Sequence, residues 1–159
     1  MTQDHSGPSR TCATRGWAIF LFLWICFIWG HSLIPGTGSS QESGFFVSLL
    51  TPAFHAFGVT DVDLMTFIVR KTAHFSEYAV LGVGVCGLLR SMGERRPRRV
   101  AVALLAAALV PCADETIQLF VSGREGSPRD VLIDLCGLAF GFVLATLVAH
   151  FAFRAKARP

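Results

Sequence analysis

Charge is scarce in this sequence: Asp, Glu, Lys and Arg make up 16% of 159 residues, against 52% hydrophobic ones. No Lys or Arg occurs between His31 and Val69. A soluble helical bundle needs polar outer faces, and these are missing over most of residues 100–153. With a mean hydropathy of +0.53, the chain is too apolar for an ordinary soluble domain. Cysteine pairs at metal or disulfide spacing are also missing, so no zinc site and no disulfide framework is suggested. Cys26, Cys86, Cys112 and Cys136 fall in apolar segments, where they are expected as small buried residues, and Cys12 lies in the N-terminal tail. Internal repeats are absent.

What is present is four long apolar runs. Their helices are expected at about 16–34, 67–89, 100–121 and 131–153, each long enough to cross a hydrocarbon core of about 30 Å. The expected fold is all-α, a polytopic four-helix transmembrane bundle. Residues 16–153 form its single domain, between a disordered tail over 1–15 and a basic tail over 154–159. The first run, "GWAIFLFLWICFIWGHSLI", also has the outline of a cleaved signal peptide. Its three Trp and its length before Pro35 favour a retained helix, and residue 40 lies outside in either case.

Basic residues orient the bundle. Ten of the 14 Lys and Arg lie in the N-terminal tail, in "RSMGERRPRR" (90–99) or after residue 153; the others are Arg70, Lys71, Arg124 and Arg129. Both termini are therefore expected to be cytoplasmic, in a multi-pass protein of the cytoplasmic (inner) membrane. In the first outer loop, Phe46, Leu49, Leu50, Ala53, Phe54 and Phe57 recur at spacings of three and four. That spacing predicts a short amphipathic helix in the outer interface, bent at Pro52, or a hydrophobic loop packed over the bundle.

Charged groups inside the spans carry the chemistry. Arg70, His74, Glu77 and Tyr78 form one stripe on the second helix, bordered by Lys71. The third helix ends with Asp114, Glu115 and Gln118, near a Pro111 that frees a carbonyl and bends the helix. The fourth begins with Asp130 and Asp134 one turn apart and continues with Gly137 and Gly141, spaced for close helix approach. Each charge deep in a span costs about 2.5–3.5 kcal/mol. Such groups are tolerable only when they face one another or a wet cavity. A single outward-opening polar pocket is expected, roofed by residues 122–130, with His31 and Ser32 as weaker candidates for its wall.

Plainer roles compete for the same residues. His74 can be a hydrogen-bonded core histidine, Glu77 can pair with Lys71, Asp130 can cap the fourth helix, and Arg129 can anchor the interface. His74, Glu77, Asp114 and Glu115 could together hold a metal, but Lys71 one turn from His74 opposes it. No metal and no cofactor is expected.

The motifs "RKTAHFSEYAVLG" and "DETIQLFVSGREGSPRDVLIDLCGLAFG", in this order with a helix between, resemble the VanZ-like family of small bacterial membrane proteins. The resemblance covers roughly residues 30–145. It implies a characteristic polar set at Lys71, His74, Tyr78, Asp114, Glu115, Gln118, Arg124 and Asp130. The family commonly has Asn where this chain has Asp134, which adds a potential negative charge to the pocket. It also implies an integral cytoplasmic-membrane protein associated with tolerance to teicoplanin-type glycopeptides.

The preferred expectation is a non-enzymatic protein whose pocket engages an anionic envelope ligand, a membrane lipid headgroup or a lipid-linked wall precursor. Lys71 and Arg124 would contact its phosphate or carboxylate; His74, Tyr78, Asp114, Glu115, Gln118, Asp130 and Asp134 complete the ligand-binding set. The alternative is an intramembrane acid–base hydrolase or transferase at the outer leaflet, using His74, Glu77, Asp114 and Glu115. No serine or cysteine nucleophile accompanies them. A third reading is a subunit that docks another membrane protein. Nucleic acid is not expected as a partner.

Overall fold

Prolines mark where the helices start. Pro128 is the first residue of a helix, where the missing N–H is no loss and φ is already helical, and Pro8 and Pro97 open the described parts of two others. Pro35 is the N-cap of another. The computed structural model describes residues 8–93 and 97–156. Among these, five α-helices account for the regular structure: α1 (Pro8–Ser32), α2 (Gly36–Ala56), α3 (Val62–Ser91), α4 (Pro97–Gln118) and α5 (Pro128–Lys156). Asp61 caps α3, its carboxylate accepting from Asp63 N at 2.9 Å and Leu64 N at 3.4 Å. At α5 the cap expected of Asp130 falls to Ser127, whose hydroxyl oxygen accepts from Arg129 N at 3.2 Å. The tail read as disordered over 1–15 is helical from Pro8 onward. Residues 1–7, the middle of the arginine loop (94–96) and 157–159 lie outside the described residues.

Four helical segments are long and apolar enough to cross a membrane: Thr11–Ser32, Val62–Ser91, Pro97–Gln118 and Pro128–Ala152. The chain is a multi-pass membrane protein. α2 is not one of these spans, and at 21 residues it is longer than the short helix expected near Phe46. Its inward face is Ser39, Ser43 and Val47, one turn apart. Phe45, Leu49 and Leu50 point away from the protein, the side that lipid would solvate. Pro52 lies inside the helix.

α3 packs against each of the other four helices, most extensively α5. Small residues make that seam. Gly137 and Gly141 sit on the backbone carbonyls of Phe75 and Ala79, and Gly82 sits on that of Leu138. A Cβ at any of these would overlap main-chain atoms, so the two backbones touch. The core beside the seam contains Ile28, Tyr78, Leu81, Val85, Leu89, Ala107, Val110 and Leu138. Of the cysteines expected to be buried, only Cys86 is; Cys26, Cys112 and Cys136 turn outward. In lipid a small apolar side chain is as well solvated outside the bundle as within it, which removes the reason for burial.

Candidate functional site

The charged stretch between α4 and α5 folds back over the end of α1. Gly123 adopts a positive φ of 73°, open to glycine without strain. Next to it, Gly36 N donates to the Ser122 carbonyl at 3.0 Å, and the two glycines approach so closely that a Cβ on Gly36 would overlap the Gly123 backbone. This contact lays Arg124 across the last turn of α1. Its Nε donates to Ile34 O and its Nη2 to His31 O, both at 3.0 Å. The guanidinium adds a second donor to His31 O, which also accepts from Ile34 N at 3.1 Å, and a cation at a helix C-terminus is favoured by the helix dipole. Burial pushes the Arg124 pKa down from its ordinary value, and Arg70 nearby adds to the effect. Arg124, expected as a ligand contact, thus has two N–H groups committed to backbone.

Beneath this cover lies a buried cluster. Gln118 Nε2 donates to Ser32 Oγ at 3.1 Å and to Asp114 Oδ2 at 3.3 Å. Glu115 Oε2 accepts from Ser127 N at 2.7 Å. In both carboxylates the second oxygen, Asp114 Oδ1 and Glu115 Oε1, is buried without a hydrogen-bond partner. Asp134 is fully buried; its Oδ1 lies 3.5 Å from His74 Nδ1, and neither of its oxygens is hydrogen-bonded. The Tyr78 hydroxyl, next to Asp114, is buried and unpartnered as well. Buried polar groups in this condition are costly and rare.

Around the cluster the remaining charges pair across helices. Lys71 Nζ lies 2.6 Å from Asp130 Oδ1 and 5.5 Å from the Phe67 ring centroid. The Lys71–Glu77 pair considered from sequence does not form. Six residues separate them, which puts their side chains about a third of a turn apart on α3. Glu77 instead faces α1, with Oε1 3.2 Å from His31 Nδ1, while His31 Nε2 reaches Glu42 Oε2 at 3.0 Å. His31 therefore joins α1, α2 and α3.

Two cavities meet at this end. One, of about 420 Å³, lies between α1, α2 and α3, with Trp24, Phe27, Phe46 and Val80 along it and His31, His74 and Glu77 at its polar wall. The other, of about 730 Å³, is lined mainly by polar groups including Asp63, Lys71, Glu125 and Asp130. Arg70 and Arg124 line both. Arg70 makes no ion pair among the described residues.

Of the residues singled out in the sequence, His74, Tyr78, Asp114, Glu115, Gln118 and Asp134 come together in the cluster. Lys71 and Asp130 stand beside it as a pair, and Glu77 belongs to the His31 branch. The Gly137–Gly141 spacing admits a close helix neighbour as expected, and that neighbour is α3. Sequence reasoning missed Arg70 as a cavity residue although it heads the α3 stripe. It also missed Glu42, which carries no local motif, and the Ser127 N–H, which no residue type reveals.

The sequence model of the family described as VanZ/LLP1 matches residues 17–149. No curated protein and no solved structure matches the chain.

Proposed function

The chain belongs to the VanZ/LLP1 family, and from that premise we propose that it binds an amphiphilic, anionic ligand of the cell envelope in the cavity between α1, α2 and α3. The observation that carries this reading is the cavity of about 420 Å³, which joins an apolar stretch at Trp24, Phe27, Phe46 and Val80 to Arg70, a cation with no ion pair among the described residues. Acyl or isoprenoid chain suits the first part, and phosphate or carboxylate suits the guanidinium. Arg70 is a better contact than Lys71, which a ligand would have to take from Asp130. The protein lies in the cytoplasmic membrane with both termini inside, so that the cavity faces the outer leaflet. A lipid-linked wall precursor in this place would connect the family resemblance to teicoplanin tolerance.

The test compares thermal unfolding of the purified protein with added phosphatidylglycerol and with added phosphatidylcholine. The anionic lipid is expected to raise the Tm of the wild type more than the zwitterionic one. Arg70→Ala should reduce the apparent affinity roughly tenfold or more, the size of one charge-assisted contact. Equal shifts for both lipids, or the same shift in Arg70→Ala, would refute the proposal.

A further inference from the structure

Four ionisable side chains from three helices converge on one buried point. His74 comes from α3, Asp114 and Glu115 from α4 and Asp134 from α5, and one potential ligating atom of each lies within 4.8 Å of the others. Asp114, Glu115 and Asp134 are 1%, 5% and 0% exposed. Even so, Asp114 Oδ1, Glu115 Oε1 and both Asp134 oxygens lack hydrogen bonds. Neighbouring cations are engaged elsewhere: Lys71 with Asp130, and Arg124 with the carbonyls of α1. Three buried carboxylates this close repel one another unless they are protonated or share a positive ion.

The geometry points to a resident divalent cation held by His74, Asp114, Glu115 and Asp134. Each carboxylate of α4 is suited to it, because one oxygen is fixed from outside and the other is left free. Gln118 holds Asp114 Oδ2, and Ser127 N holds Glu115 Oε2; such outer hydrogen bonds orient metal-binding groups. One imidazole and three carboxylates, with no thiolate, select Mn²⁺, Fe²⁺ or Zn²⁺ over copper(I). Donors bound at about 2.0–2.2 Å stand roughly 3–4 Å apart, so the four side chains need to draw in by only about an ångström. The sequence objection to a metal was Lys71, and its pairing with Asp130 removes it. Asp134, and not the Glu77 expected from sequence, is the fourth ligand. His74 also lines the smaller cavity, which puts the ion beside its wall, and the site stands whatever occupies that cavity.

The test uses the full chain in detergent, with elemental analysis of untreated protein and then titration of chelator-stripped protein with Mn²⁺ and with Zn²⁺. One equivalent is expected, with a rise in Tm. The near-isosteric Asp134→Asn should weaken binding by about tenfold or more, whereas Glu42→Gln, outside the cluster, should leave it unchanged. If Asp134→Asn does not fold, Asp114→Asn serves the same purpose. Wild-type protein that binds neither ion, equal affinity in wild type and the cluster variant, or affinity lost only in Glu42→Gln would overturn the assignment.

Discussion

Arg124 shows how a charged residue in a membrane protein can be a structural part of the main chain's own hydrogen bonding. Its two bonds, to His31 O and Ile34 O, tie the α4–α5 connection to α1, and the Gly36–Ser122 bond sits next to them. Arg124→Ala leaves those carbonyls without that donor and loosens the cover above Asp114 and Glu115. The expected loss is about 2–4 kcal/mol, since hydrogen bonds from a charged group contribute about 1.5–3 kcal/mol. Arg124→Lys should recover only part of it, because an ammonium lacks the planar fork that reaches both oxygens. Thermal unfolding in detergent measures both variants; a Tm unchanged in Arg124→Ala would show that the two bonds contribute nothing. Such a role leaves no trace in sequence. A basic residue in a polar loop announces a ligand as readily as a carbonyl partner, and carbonyls carry no residue identity.

At the scale of elements, the α3–α5 seam is the contact most sensitive to volume. Gly141 rests on the Ala79 carbonyl and Gly137 on that of Phe75, so Gly141→Val must push the helices apart. A destabilisation of about 1–3 kcal/mol or more is expected, read by unfolding in mixed micelles. Gly30→Ala, where a Cβ meets nothing within 4 Å, should stay within about 0.5 kcal/mol. Comparable losses in the two variants would remove the seam's special place. Gly137 and Gly141 were legible in the sequence because close approach needs small residues one turn apart. The four spans were legible from length and apolarity, and the cluster from the cost of isolated charge in hydrocarbon. α2 was read less well, for a physical reason. In water an apolar stripe marks the buried face, but here Leu49 and Leu50 face outward and Ser39 and Ser43 face inward. When the surroundings are as apolar as the core, periodicity gives a helix without saying which side packs.

At the scale of the whole molecule, the carboxylates among the described residues gather at one end of the bundle. The end of α1, the start of α3, the end of α4 and the start of α5 meet there through Gln118–Ser32, Lys71–Asp130 and His74–Asp134. α3 is 30 residues long and rises about 45 Å, more than a hydrocarbon core of about 30 Å. Part of its polar stripe can therefore stand at headgroup depth, where charge costs less than at the midplane. The other end carries Arg90, Arg98 and Arg99 on either side of the α3–α4 connection, and the excess of basic residues there is the ground for the proposal that it faces the cytoplasm. Single cysteines test the orientation directly. In a background with Cys12, Cys26, Cys112 and Cys136 changed to Ser and the buried Cys86 retained, Ser122→Cys should react on intact cells with a membrane-impermeant maleimide. Met92→Cys, on an exposed residue just past α3, should react only after the cells are permeabilised. The reverse pattern would place the cavities and the carboxylate cluster on the cytoplasmic side. An outer-leaflet ligand would then be untenable, while a cation between His74, Asp114, Glu115 and Asp134 would remain, because its coordination depends on how the helices pack and not on which way they face.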